Sequence, residues 1–114
     1  MANYYDIKCM PKVNKTDDKI VNQLVQSILK NGYLGEPIYY CEMGLITGSH
    51  RLTALQTIDD SDFDNIYDIL NNDDIAIDIT DIINQYCENK EICFEELPFD
   101  DFNNYTYDDF EKLI

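Results

Sequence analysis

Gly48-Ser49-His50-Arg51 sets the one histidine and the one arginine of the chain side by side. The apolar run Leu45-Ile46-Thr47 precedes them and the amphipathic segment Leu52-Thr53-Ala54-Leu55 follows. A strand, a glycine turn and a helix in that order aim free backbone N–H groups and the positive helix end at one spot, where an anion can rest. Arg51 adds a planar fork of donors that matches phosphate. The Ser49 hydroxyl would join this set. His50 would donate to a phosphate or sugar, or serve as acid or base, and is the candidate catalytic residue. The same residues also have an ordinary structural use, with Ser49 as a helix cap, Arg51 paired to a carboxylate and His50 satisfied at the surface. Residue types alone leave both readings open.

The elements that would position this turn are legible on either side of it. Val21, Leu24, Val25 and Ile28 recur at helical spacing, which predicts a helix capped by Thr16 or Asp17, running to about Asn31 and stopped by Gly32. Pro37 opens a strand over Ile38-Tyr39-Tyr40-Cys41, and Glu42-Met43-Gly44 forms a hairpin turn back to Leu45-Ile46-Thr47. The helix after Gly48 runs from Ser49 to about Ile58 and buries Leu52, Leu55 and Ile58. Tyr4–Met10 alternates weakly and is predicted as a first strand, with a loop over Pro11–Lys15. Farther on, Phe63, Ile66, Tyr67, Ile69 and Leu70 fit a short helix. Ile75–Ile79 alternates as a strand, Thr80–Cys87 fits a helix with Ile82, Ile83 and Tyr86 inward, and Glu91–Glu95 fits a short strand or a helix start. The tail repeats Phe99-Asp100-Asp101-Phe102 as Tyr107-Asp108-Asp109-Phe110, which predicts short helices with aromatics inward and carboxylates in water.

Composition bounds the class. A chain of 114 residues with 45% hydrophobic side chains is one globular domain. No apolar run spans a membrane and no leader is visible, so a cytoplasmic location is expected. The four cysteines form no C-x-x-C pair and are expected to be reduced and buried. With one histidine a zinc site is poorly supplied. The run Asp59, Asp60, Asp62, Asp64 lacks the glycine and closing glutamate of a calcium loop, so no metal site is expected. Residues 1–57 carry six basic and five acidic side chains, whereas residues 58–114 carry two basic and 18 acidic ones. The net charge of −15 therefore belongs to the second half. Such a surface repels DNA phosphates, and direct DNA binding is unlikely on physical grounds. It suits solubility, a basic protein partner or mimicry of DNA, with Phe99, Phe102, Tyr105, Tyr107 and Phe110 as potential anchors.

Taken in order, Leu24-Val25-Gln26-Ser27-Ile28 with Asn31-Gly32, then Pro37-Ile38, then Leu45-Ile46-Thr47-Gly48-Ser49-His50-Arg51-Leu52-Thr53-Ala54 resemble the ParB/sulfiredoxin-like superfamily. The resemblance covers about residues 5–57. It implies an α/β (α+β) core over residues 1–58, a small mixed sheet with packed helices, to which residues 59–114 add an acidic helical extension. It also implies a nucleotide such as ATP or CTP, with Mg2+, whose phosphates rest on Gly48, His50 and Arg51. By position Ser27 would face the nucleotide, and Lys19 falls one residue off a similar place; as polar residues of an amphipathic helix both fit solvent equally well. Ser49 stands where sulfiredoxins carry a reactive cysteine, which speaks against sulfinic acid reduction. ParB proteins carry Glu-Arg-Arg here and a helix-turn-helix domain afterwards, and this chain has neither. Free serine kinases of the superfamily have a nearer, His-His-Arg-like turn, and ADP-ribosylating toxin-like members make NAD another candidate. The resemblance thus implies a nucleotide- or phosphate-binding protein, with phosphotransfer or nucleotidase-like chemistry open to it. Abundant Asn, Ile, Asp and Tyr with a single Arg suggest a bacterial or phage origin. The alternatives are a non-catalytic acidic interaction or inhibitor protein that keeps the fold, and a ParB-like DNA-associated or nuclease-like protein.

Overall fold

The computed structural model describes residues 2–10, 16–33, 36–61, 63, 66–103 and 105–114. The predicted loop over residues 11–15 and the carboxylates Asp62 and Asp64 lie outside them. The chain forms a mixed α/β domain around a three-stranded sheet in the order β2-β1-β3. β1 (Ile38–Cys41) is central. It pairs antiparallel with β2 (Gly44–Leu45) through Tyr40 opposite Leu45, and parallel with β3 (Ala76–Asp78) through Ile38 opposite Ala76. Ala2 adds an antiparallel bridge to Ala76. The predicted return strand is shorter than expected, because the N–H groups of Ile46 and Thr47 both turn onto the Tyr39 carbonyl, at 2.8 and 3.2 Å.

Alternation along β1 divides the core in two. Ile38 packs with Ile7, Val21, Val25, Ile28, Leu52, Leu55 and Ile58 on one face. Tyr39 and Cys41 pack with Ile46, Ile79, Ile83, Phe102 and Phe110 on the other. The first face is covered by α1 (Tyr4–Ile7), α2 (Asp18–Asn31), α3 (Ser49–Asp59) and the single turn α4 (Tyr67–Leu70). The second is covered by α5 (Thr80–Lys90), a 3-10 turn (Phe94–Glu96), α6 (Phe99–Phe102) and α7 (Tyr107–Glu111). The sheet thus takes its third strand and one whole helical layer from the acidic half.

Local chemistry explains most of these elements. Asp17 caps α2 through Lys19 N–H at 2.8 Å, and Gly32 ends it at φ 76° with its N–H on the Ile28 carbonyl. Thr106 and Asp109 form a capping box on α7. Where a strand was expected at Tyr4–Met10, the chain is helical over Tyr4–Ile7. There Asn3 accepts from Tyr5 N–H, and Asp6 accepts from Asn3 N–H at 3.1 Å. That reciprocal cap outweighs a weak alternation. The Tyr4 hydroxyl donates to Asp59 at 2.9 Å, tying α1 to the end of α3. The residue 91–95 segment resolves as the 3-10 turn, and Phe63 lies exposed outside α4. All four cysteines are free, but of the four only Cys41 is buried, and Cys9 and Cys93 are exposed.

Tyr33 follows α2, 8% exposed, and donates to the Glu36 carbonyl at 2.9 Å. Burial pushes its hydroxyl up to about 12, against a smaller opposing effect of the Arg51 guanidinium. The folded state therefore holds the Tyr33 proton more tightly than the unfolded chain does. The stability this contributes is complete below pH 10 and is lost as the pH rises toward 12. Alkaline unfolding should cost roughly 2–3 kcal/mol through this group over that window. Denaturant titrations at pH 9 and 11.5 should show a smaller stability loss for Tyr33→Phe than for the wild type. An equal loss in both would discount Tyr33.

Candidate functional site

A cavity of about 640 Å³ opens at the start of α3. Gly48, Ser49, His50 and Arg51 form one wall. Ile20 and Leu24 of α2 form an apolar second wall, and Asp100 with Asn103 at α6 close a third side. The four residues of the turn are therefore brought together.

The turn is built on Gly48, which is the N-cap of α3 at φ 94°, in the left-handed region. A Cβ there would sit 2.8 Å from Ile38 Cγ1, so both the dihedral and the contact require glycine. Gly48, not Ser49, caps the helix, and no side chain takes the capping role. Ser49 is instead the first helical residue and is buried at 3% exposure. The start of α3 lies at the cavity, and the positive end of the helix dipole with it. With Leu52 N–H bonded to the Gly48 carbonyl at 2.9 Å, the helix is regular from its first turn.

His50 is half-buried, and its Nε2 accepts the backbone N–H of Asp17 at 3.1 Å. In the neutral ring that assigns the hydrogen to Nδ1. One imidazole nitrogen thus serves the fold, holding the start of α2 beside the start of α3. A proton on Nε2 would break that link, so only Nδ1 is open to a ligand. Arg51 is half-buried and forms no ion pair with any described residue. Its charge is felt by Tyr33 and Tyr39, whose hydroxyl pKa values it opposes raising. In a chain of net charge −15, a guanidinium beside a helix N-terminus, with no ion pair to a described carboxylate, is a pronounced local reversal of sign.

The other two predicted binding residues do not line this cavity. Ser27 is exposed one turn beyond Leu24, and Lys19 lies with Asn22, Gln23 and Gln26 on the exposed face of α2. From α2 it is Ile20 and Leu24 that line the cavity, in place of Lys19 and Ser27. In the sequence Leu24 belongs to the apolar stripe and to the motif that carries the resemblance, without a binding role. Asp100 and Asn103 were missed as site residues. The Phe99-Asp-Asp-Phe102 spacing was the available signal: Phe102 is 1% exposed and anchors α6, which leaves the intervening carboxylates outward. Among the described residues no group of three or more His, Cys, Asp or Glu is placed to hold a metal ion. None of their helices is long and apolar enough to cross a membrane.

No protein-family model matches the chain, and no curated protein or solved structure matches it either. The chain is a mixed α/β domain with a cavity of mixed polar and apolar lining at a strand-to-helix turn.

Proposed function

We propose that this protein binds a phosphate-bearing ligand, a nucleotide such as ATP or CTP, in the cavity at the Gly48–Arg51 turn, and works in the cytoplasm of a bacterium or of a phage-infected cell. The observation that carries the reading is Arg51, without an ion-pair partner among the described residues, on the wall of a cavity at the N-terminus of α3. The volume of about 640 Å³ falls within the usual range for small-molecule sites. The apolar side chains of Ile20 and Leu24 offer a surface for a base, while the turn offers N–H groups and the guanidinium to phosphates. The order of α2, the β1–β2 hairpin, the glycine turn and α3 supports placing the chain with ParB/sulfiredoxin-like proteins.

A thermal-shift panel of ATP, CTP, GTP and NAD, each with and without Mg2+, tests the reading. At least one nucleotide should raise Tm by several degrees at a hundredfold excess over its Kd, which corresponds to about 2.7 kcal/mol. Arg51→Ala should abolish the shift while leaving the unliganded Tm within a few degrees, because the guanidinium has no ion pair among the described residues to lose. No shift with any nucleotide, or an equal shift in Arg51→Ala, would count decisively against it.

A second reading rests on the exposed carboxylates Asp81, Glu88, Glu95, Glu96, Asp101, Asp108 and Glu111 over the α5–α7 layer. They suit a basic protein partner, bound without chemistry. Such binding weakens steeply with salt, and capture that persists unchanged in high salt would rule out this mechanism.

A further inference from the structure

We infer that Asp100 holds the hydroxyl-bearing part of the ligand, a vicinal diol such as that of ribose, and so orients it in the cavity with its phosphates on the α3 turn. The inference rests on the phosphate reading of the same site and adds the sugar specificity and the direction of binding.

The cavity has two electrostatic ends. Arg51 and the α3 N-terminus lie on one wall, and the Asp100 carboxylate on another. A carboxylate offers acceptors and no N–H donor. A phosphate set against it meets like charge, whereas the Arg51 end attracts it. The group facing Asp100 must therefore bring donors. A carboxylate accepts from two neighbouring hydroxyls at once, which a ribose supplies and a dideoxyribose does not. The apolar stretch of Ile20 and Leu24 is left to the uncharged base.

The helix that carries Asp100 is anchored at both ends. Phe102 packs edge-on with Phe110 at 5.4 Å and with Tyr86 at 6.1 Å, and Phe99 packs with Phe94 at 5.4 Å. Both ends of α6 are thereby fixed, and Asp100 sits between them. Asp100 and Asp101 are both exposed on this helix, and of the two only Asp100 lines the cavity, which makes Asp101 the control.

Binding of ATP and 2′,3′-dideoxy-ATP is measured by calorimetry in EDTA and again in Mg2+, for wild type, Asp100→Ala and Asp101→Ala. Wild type and Asp101→Ala should prefer ATP about tenfold or more, the loss expected when hydrogen bonds to a charged group are removed. In Asp100→Ala the ratio should fall to near one, with dideoxy-ATP bound at least as well as by wild type. A wild type that binds both equally, or an Asp100→Ala variant that keeps the preference, overturns the inference and leaves the phosphate site standing. An Asp100→Ala variant that loses only a Mg2+ requirement assigns the carboxylate to a cation and also overturns it. Failure of wild type to bind either nucleotide overturns the inference for ATP, and removes the phosphate reading with it when CTP, GTP and NAD also give no thermal shift.

Discussion

Gly48→Ala is expected to lower stability by about 2–4 kcal/mol, the sum of a left-handed alanine and of overpacking. Neither part can be relieved easily. The φ of 94° lies where an L side chain crowds its own backbone. The added methyl would meet Ile38 at 2.8 Å, and Ile38 is fully buried in the central strand. The chain must then rotate the turn, push β1, or both. Rotating the turn also re-aims the first N–H groups of α3 and the Arg51 side chain, so ligand binding should fall along with Tm. A drop of about 10 °C or more is expected. A cycle with Ile38→Ala separates the two parts. Ile38→Ala removes the Cγ1 and Cγ2 atoms that the new methyl strikes. The double variant should therefore be about 1–2 kcal/mol more stable than the sum of the single effects. Strict additivity would mean that the contact with Ile38 contributes nothing, and an unchanged Tm for Gly48→Ala would refute the strain altogether.

Phe110→Ala should cost about 3–5 kcal/mol. Phe110 is fully buried, with its ring 4.9 Å from Tyr39, 5.4 Å from Phe102 and 5.2 Å from Tyr105. Its ring packs α7 onto Tyr39 of β1, beside a hydrogen bond between the Tyr39 hydroxyl and the Tyr107 backbone. α7 spans five residues, far too few to persist without tertiary packing. Loss of the ring therefore removes a large apolar contact and the reason for α7 to stay folded. Tyr107→Ala, one turn earlier on the same helix and 41% exposed, should cost less than about 1 kcal/mol. Chemical denaturation of the two variants checks the contrast. Similar losses would show that the second core face does not act as a packed unit.

The elements most legible in the sequence were those with several agreeing signals. The helix from Asp17 to Gly32 had a cap, a stripe and a glycine stop, and its bounds match α2. The hairpin and α3 were marked by Pro37, Gly44 and Gly48. Tyr4–Ile7 misled because its alternation was noticed and the Asn3–Asp6 cap was not. The site was legible where it is contiguous. Gly48 to Arg51 line the cavity together because one turn carries them. Asp100 was invisible, since nothing local tells which distant helix will close a pocket. The placement of Ser27 and Lys19 depended on helix rotation, which a stripe of apolar residues fixes only to within a residue. The use of His50 Nε2 by Asp17 N–H was equally hidden, as it joins residues from separate elements.

The parallel pairing of β1 with β3 has a consequence for how the chain is made. Ile38 donates its N–H to the Ile75 carbonyl, and Ile79 N–H reaches the Tyr40 carbonyl. On the ribosome, the stretch that carries the cavity turn emerges well before the strand it must join. Until residues 75–79 leave the exit tunnel, one edge of the central strand stays unpaired, and Tyr39, Cys41 and Ile46 lack their covering layer until residues 80–111 follow. Long-range parallel pairing is slow because the intervening loop must close first. The nascent chain should therefore expose an apolar strand edge for as long as translation of the acidic half lasts. That half, dense in carboxylates, is also the part whose charge would discourage neighbouring nascent chains from docking there.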